Sequence, residues 1–221
     1  MPITKKQLIY TILCGIFITN AVVAELIGGK LISVFGVPMS VGILPWPVVF
    51  ITTDLINEYF GEKGVRRLSY ITAGLIAYCF FVLLIALRIP AVTGMGVQDD
   101  AFSSVFGQGM WIIVGSITAF LVSQLIDVTL FHFVKRKTGQ RMIWLRSTGS
   151  TVISQFFDSF IVLGIAFYAT GQMDTQTYIA SGLTGYCVKL VIAIVLTPLI
   201  YVGHSLIGKH MHADVVEENH H

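Results

Sequence analysis

The stretch MWIIVGSITAFLVSQLIDVTLFHFV, residues 110–134, decides the fold, because it is apolar almost from end to end. A helix needs roughly 20 such residues to cross the hydrocarbon core of a bilayer, so the stretch predicts a membrane-spanning helix. Within it, the segment SQLIDVTLF carries Gln124 and Asp127 three residues apart. The segment SQFFDSFIV, residues 154–162, repeats the arrangement with Gln155 and Asp158. Both pairs need an explanation, because charged and strongly polar side chains are costly in hydrocarbon.

The whole chain has the composition of a membrane protein. Its 221 residues are 55% hydrophobic and only 12% charged, and its mean hydropathy is +0.80. A soluble domain carries about 25% charged residues. We predict an all-α integral membrane protein with six transmembrane helices in one domain, residues 1–209, and a polar, disordered tail, residues 210–221. The predicted spans are residues 8–27, 46–60, 68–87, 110–134, 148–170 and 179–207.

Two connecting loops have sequence patterns of their own. Residues 28–45 alternate Gly, Pro and apolar residues, which predicts a short hairpin or a re-entrant segment. The segment QDDAFSSVFG, residues 98–107, predicts a short helix that begins near Gln98 or Asp99.

The basic residues predict how the chain is oriented in the membrane. Most Lys and Arg side chains, including the run KRKTGQR at residues 135–141, lie in loops on the same side as the N-terminus. Cytoplasmic loops are enriched in these residues, so we predict that both termini are cytoplasmic. The basic runs are also expected to contact anionic lipid head groups. The formal net charge of +2 therefore does not indicate a nucleic-acid partner.

Polar side chains inside the predicted spans form the candidate binding site. Residues three or four apart share a helix face, so each pair of them points one way from its helix. Most lie within about two turns of the midplane, at ~1.5 Å per residue, which predicts a shared cavity for a ligand or an ion. The alternative is that they hold the helices together by interhelical hydrogen bonds. The predicted site residues are Gln124, Asp127, Gln155, Asp158, Lys189, Asp54 and Glu58.

Two of these residues carry a further expectation about their partners. Lys189 is expected to pair with Asp158 or Asp127 when the site is empty, because it is a lone cation among intramembrane acids. Glu58 is near the inner end of its span, so pairing with Arg66 or Arg67 is the alternative to a role in the site.

The sequence lacks the motifs of several enzyme classes. It contains no H-E-x-x-H zinc motif, no Gly-x-Ser-x-Gly elbow and no Walker A motif. An intramembrane aspartyl hydrolase that uses Asp127 and Asp158 is one alternative, but neither aspartate stands in the Gly-x-Gly-Asp setting of such proteases. We predict that the protein is not an enzyme and binds no cofactor and no metal.

Four segments together resemble the queuosine precursor transporter family, the YhhQ-type proteins grouped among vitamin-uptake transporters. They are TDLINEYFGEKGVRR (53–67), SQLIDVTLF (123–131), RSTGSTVISQFFDSFIV (146–162) and YCVKLVIAIVLTPLIY (186–201). The resemblance implies a six-helix protein of the bacterial inner membrane, similar to the substrate-binding subunits of energy-coupling-factor vitamin transporters. It also implies import of 7-cyano-7-deazaguanine, its aminomethyl relative or queuine by alternating access at a midplane site.

The implied substrate suits the polar residues. A 7-deazaguanine presents a ring N–H and an exocyclic amine side by side, and a carboxylate accepts both. A glutamine side chain, which both donates and accepts, suits the carbonyl and the remaining ring positions. The sequence leaves open which base is carried, whether an ion is coupled, and whether Ser181 and Gly185 mediate a homodimer. The runner-up is the substrate-binding subunit of a vitamin importer that a separate ATPase module energises.

Overall fold

A computed structural model of the chain describes residues 4–34, 37–107, 109–139 and 142–218. It consists of helices and one small hairpin, which confirms the all-α fold class. In chain order, the elements are α1 (Lys5–Ile27), β1 (Leu31–Val34), β2 (Val37–Ser40), a 3-10 turn (Val41–Ile43), α2 (Trp46–Ala86), α3 (Asp99–Phe106), α4 (Met110–Thr138), α5 (Ile143–Leu163), a π-helical segment (Gly164–Tyr168) and α6 (Thr175–Glu218).

Five helices among the described residues are long and apolar enough to cross a membrane. They lie within Lys5–Ile27, Val41–Ala86, Asp99–Thr138, Trp144–Tyr168 and Thr175–Val195. The predicted spans 46–60 and 68–87 both lie in α2, apart from residue 87, which follows its last residue, because the helix resumes directly after a break at Gly61. The large apolar side chains exposed on these helices, such as Tyr78 and Phe81 of α2 and Val195 of α6, form a surface suited to lipid.

α2 contains one break, at Gly61. This residue has φ 76° and ψ 176°, a conformation that essentially only glycine adopts. On the N-terminal side of the break, α2 runs antiparallel to α1. The Tyr10 ring lies 4.9 Å from the Phe60 ring, between centroids, and the Tyr10 hydroxyl donates to the Gly64 carbonyl at 3.2 Å. The break therefore lies beside the first turns of α1.

The opposite end of α1 packs against the loop that leads into α2. A Cβ atom on Gly42 would lie 2.6 Å from the Ala24 carbonyl oxygen, so only glycine permits this approach. The Ser40 hydroxyl donates to the Gly28 carbonyl at 2.7 Å and fixes the loop against the end of the helix. Between the two ends, Phe17 of α1 and Phe120 of α4 lie in one buried apolar cluster with residues of α2.

Both loop predictions are confirmed. β1 and β2 pair antiparallel, with Leu31 opposite Ser40 and Val34 opposite Val37. The predicted short helix is α3, which begins at Asp99. The helical backbone of α6 continues to Glu218, into the segment assigned to the tail, and the tail's last residues, 219–221, lie outside the described residues. The division of the chain at residue 209 stays a prediction.

Candidate functional site

A cavity of about 480 Å³ opens where the ends of several helices meet. Its wall comes from the end of α1, the loop before α2 and the first turn of α2, the start of α4, the end of α5 and the first half of α6. Most of the lining is apolar, and a small set of polar side chains projects among these groups. The polar set includes Glu25, Ser116, Asp158, Ser159 and Lys189.

Glu25 supplies a carboxylate to the wall from the last turns of α1. The Ser116 hydroxyl of α4 donates a hydrogen bond to this carboxylate. Trp46 also lines the cavity, and its ring lies 6.0 Å from the Phe120 ring, between centroids. The cavity thus combines an acidic group with an aromatic wall.

Lys189 and Asp158 form an ion pair at the edge of the same cavity. The Lys189 ammonium contacts Asp158 Oδ2, which confirms the expected pairing. The other carboxylate oxygen, Oδ1, accepts a hydrogen bond from the Ser123 hydroxyl at 3.3 Å. Both charged side chains remain partly exposed, at 19% for Lys189 and 13% for Asp158, so a ligand in the cavity can reach them.

A second group of charges lies at the opposite ends of α4 and α5. We call it the charge cluster and define it as Asp54, Glu58, Lys135 and Arg146. Arg146 is fully buried, and its Nη2 atom lies 2.7 Å from Glu58 Oε2, while Lys135 Nζ lies 3.1 Å from the same oxygen. Lys135 follows Ser116 along α4 by about 28 Å at ~1.5 Å per residue. The charge cluster is therefore distant from the cavity.

Asp54 is buried beside these ion pairs but takes no part in them. It is 4% exposed, and the Ser147 hydroxyl donates to its Oδ2 atom. Its Oδ1 atom has no hydrogen-bond partner within the part of the chain that the structure describes. Asp54 therefore differs from Glu58, which contacts two cations.

Asp127 lies between the cavity and the charge cluster. Its Oδ1 atom accepts hydrogen bonds from the Thr151 and Ser154 hydroxyls, each at 3.3 Å. On the same helix, Gln124 Nε2 donates to Thr53 Oγ1 at 3.1 Å. Because α4 and α5 run antiparallel, successive polar residues of one helix meet successive polar residues of the other.

Comparison with known proteins identifies the family. The sequence model of the family described as "Putative vitamin uptake transporter" matches residues 40–203, which is most of the chain. The chain belongs to this family.

Two curated relatives of the chain carry the name "Probable queuosine precursor transporter". The Bacillus subtilis (strain 168) protein is 28% identical over 180 residues, which are 80% of this chain and 77% of that protein. The Haemophilus influenzae (strain Rd) protein is 28% identical over 160 residues, which are 70% of this chain and 63% of that protein. No solved structure matches the chain significantly.

As a member of the vitamin uptake transporter family with several membrane-spanning helices, the protein is a multi-pass protein of the bacterial plasma membrane. Its role is transport of a small molecule. Both curated relatives are named as transporters, which agrees with the prediction of a non-enzymatic function. In the part of the chain that the structure describes, no group of three or more His, Cys, Asp or Glu side chains could hold a metal ion.

The structure divides the predicted site residues of this family member into two sets. Asp158 and Lys189 line the cavity. The others are absent from its wall, and their part in substrate binding stays a prediction: Gln124, Asp127, Gln155, Asp54 and Glu58. Gln124, Asp127 and Gln155 are each 6% exposed, because the packing of α4 on α5 covers the faces that carry them.

The partners of Glu58 differ from the predicted ones. The sequence predicts an ion pair of Glu58 with Arg66 or Arg67 as the alternative to a role in the site. In the structure, Glu58 pairs with Arg146 and Lys135. Arg66 instead pairs with Glu62 at 2.8 Å, one helical turn away. Neighbours along a helix are visible in a sequence, whereas the side chain that another helix brings alongside is not.

Residues that are not among the predicted site residues also line the cavity. Glu25 is the most important of them, because it is a carboxylate in an otherwise apolar span. A carboxylate in an apolar span is a sequence signal for a binding residue. Glu25 lies near the end of its span, however, and this position is also typical of an interfacial residue. Ser116, Ser159 and Trp46 carry no comparable signal, since serine and tryptophan are common in membrane helices.

Proposed function

We propose that the protein imports a queuosine precursor, a 7-deazaguanine base, across the bacterial plasma membrane and binds it in the cavity. The observation that carries the proposal is the set of Glu25, Asp158 and Lys189 around one mostly apolar cavity. The names of the two curated relatives support the choice of substrate. The volume of about 480 Å³ lies in the range of small-molecule sites, which is roughly 300–1,000 Å³.

The chemistry of the cavity suits both edges of such a base. The Glu25 carboxylate can accept the ring N–H and the exocyclic amine together, and a charged acceptor in a dry site makes the stronger hydrogen bonds. Lys189 can donate to the base carbonyl once the incoming base competes for Asp158. The Trp46 indole offers a face on which the ring system can stack. The predicted site residues that do not line the cavity then have other roles: they hold the helices together and supply the charged groups away from the cavity.

The arrangement further supports six spans and an outward-facing state. Val41–Ala86 contains 46 residues, which would extend for about 69 Å as one helix against a hydrocarbon core of about 30 Å. We propose that the chain turns back at Gly61 and crosses twice. With the N-terminus in the cytoplasm, the cavity then faces outward and the charge cluster closes the cytoplasmic side. Alternating access requires the charge cluster to separate.

The competing functions differ in what they need from the protein. A hydrolase that uses Asp127 and Asp158 needs the two carboxyl groups to share a proton, as in aspartic proteases. Here Asp158 is held by Lys189 and Ser123, while Asp127 is held by Thr151 and Ser154. A substrate-binding subunit would bind the base but would need an added ATPase module to accumulate it.

Uptake of labelled 7-cyano-7-deazaguanine tests the proposal in cells that cannot make this base and have no other importer. We expect the wild-type protein to restore uptake and Asp158→Asn to abolish it. The control variant is Asp100→Asn on exposed α3, which should transport normally. The purified protein in liposomes should also exchange the base without any other subunit. Absence of exchange there, with uptake in cells, would favour the ATPase-energised alternative.

A further inference from the structure

We propose that Asp54 carries the proton that drives import, so that the protein is a proton-coupled symporter. This inference rests on the proposed function, since it concerns the energy source for the same transported base. Its site is the buried Asp54 carboxylate within the charge cluster, not the cavity.

The Asp54 carboxylate has an oxygen without a donor in a buried position. Oδ2 accepts a hydrogen bond from the Ser147 hydroxyl, whereas Oδ1 has no partner among the described residues. Burying an ionised oxygen without hydrogen bonds is strongly unfavourable, while the neutral carboxyl group is far less costly. A proton on Asp54 removes this penalty.

Together with its charged neighbours, Asp54 forms a group that carries one excess negative charge when every acid is ionised. On α2 itself, Glu58 lies one turn further along, and from α4 the nearby charged groups are Asp127 and Lys135. From α5, Arg146 attracts Asp54, but its Nη2 atom contacts Glu58 at 2.7 Å. Three acids, with Asp54 included, therefore stand against two basic side chains, and one bound proton makes the net charge of the group zero. His132 of α4 also faces this region, where its Nε2 atom lies 3.1 Å from Asn57 Oδ1.

Hydroxyl groups on α5 lie between Asp54 and the cavity. Four polar residues share one face of the helix, because they are spaced four, three and four residues apart. We call them the row: Ser147, Thr151, Ser154 and Asp158. Ser147 contacts Asp54, and both Thr151 and Ser154 contact Asp127. The row ends at Asp158, which lines the cavity. It spans about 16 Å at ~1.5 Å per residue and offers carboxylates and hydroxyls that can pass a proton.

The row and the charge cluster together give a cycle for the proton. A proton from the outer solution enters through the cavity and moves along the row to the Asp54 carboxylate. When the charge cluster separates, Arg146 leaves Glu58 and pairs with Asp54. The proton is then released to the cytoplasmic solution, while the base leaves on the same side. No other bond forms or breaks in this cycle.

A sodium ion fits these surroundings less well than a proton. Hard cations take several oxygen ligands, and the described residues offer Asp54 one hydroxyl partner, that of Ser147. Among the residues described, no group of three or more His, Cys, Asp or Glu side chains could hold a metal ion. The proton is therefore the coupling ion that the geometry favours.

Two transport assays on the full-length protein in liposomes separate binding from coupling. The first measures accumulation of labelled 7-cyano-7-deazaguanine with the outside about one pH unit more acidic. Such a gradient sustains about tenfold accumulation per coupled proton. The second measures exchange of labelled for unlabelled base at equal pH, which needs binding and alternating access but no net proton movement.

We expect Asp54→Asn to keep exchange near the wild-type rate and to lose the roughly tenfold accumulation. Asp158→Asn should lose both activities, and Asp100→Asn should keep both. If Asp54→Asn still accumulates the base like the wild type, Asp54 is not the proton carrier. If accumulation by the wild type depends on a sodium gradient and not on the pH gradient, the proton is not the coupling ion.

A measurement on the wild type tests the inference even where the Asp54 variant fails to fold. A pH-sensitive dye inside the liposomes should report acidification that starts when the base is added. Base uptake without acidification overturns the inference and leaves the proposed function intact. Absence of both uptake and exchange of the base in the wild type contradicts the proposed function itself.

Discussion

The cavity and the charge cluster use the same kinds of side chain for opposite purposes. In the cavity, the ion pair of Asp158 with Lys189 keeps part of its surface exposed, so that it can be opened by a ligand. In the charge cluster, Arg146 is completely buried and holds Glu58 together with Lys135. Charges with access to solvent can serve binding, whereas buried pairs hold helices in one arrangement. A substitution should therefore affect affinity in one region and stability in the other.

The largest effect is expected at Arg146. Removing one partner of a buried ion pair typically destabilises a protein by about 3–5 kcal/mol, because the other charge is left buried. Arg146→Met should lower the free energy of unfolding by this amount, measured by denaturant unfolding of the purified protein in detergent. Arg88→Met is the control, since Arg88 is exposed in a loop. Equal stability of the two variants would contradict the structural role of the charge cluster.

The next effect concerns the cavity and leaves stability almost unchanged. A hydrogen bond to a charged group contributes about 1.5–3 kcal/mol, so Glu25→Gln should raise the dissociation constant of the base about 10–150-fold. Isothermal calorimetry on the purified protein measures this change. Glu62→Gln is the matched control, because Glu62 pairs with Arg66 outside the cavity. An unchanged affinity in Glu25→Gln would remove Glu25 from the proposed site.

These two regions show what the sequence could and could not predict. The membrane helices follow from apolar runs, and Asp158 and Lys189 stand out because charges inside such runs are rare. Which helix face meets which neighbour depends on the packing of α4 on α5, and no local pattern encodes it. Asp127 therefore shares its spacing with Asp158 and still lies away from the cavity wall.

The break in α2 shows the same limit. The sequence separates spans 46–60 and 68–87 by their hydropathy, but helical propensity continues across the polar residues between them. One glycine conformation decides where the helix ends and begins again. A Gly is common in membrane helices, so its presence at position 61 alone does not indicate a break.

A smaller loss of stability is expected at Gly61, the break next to the charge cluster. Its φ of 76° is unfavourable for alanine, so Gly61→Ala should destabilise the protein by about 1–3 kcal/mol. The matched control is Gly74→Ala in the helical part of α2, where nothing lies within 4 Å of the added Cβ atom. Alanine is favoured over glycine in a helix by up to about 1 kcal/mol, so the control should be neutral or stabilising. Thermal unfolding of both variants measures the difference, and equal midpoints would refute the break.

The smallest effects are expected at two buried serines of α5. One serine contacts the charge cluster and the other lines the cavity, so the two regions can be compared on one helix. Ser147 donates to Asp54, so Ser147→Ala should lower the free energy of unfolding by about 1 kcal/mol and leave base affinity unchanged. Ser159 lines the cavity, and its hydroxyl has no partner among the described residues. Ser159→Ala should therefore leave stability unchanged or slightly raised, and should weaken base binding about 2–10-fold if the hydroxyl turns to the ligand. Denaturant unfolding and calorimetry on both variants give four values. The opposite assignment, with affinity lost in Ser147→Ala and stability lost in Ser159→Ala, would mean that the base binds beside the charge cluster instead of in the cavity.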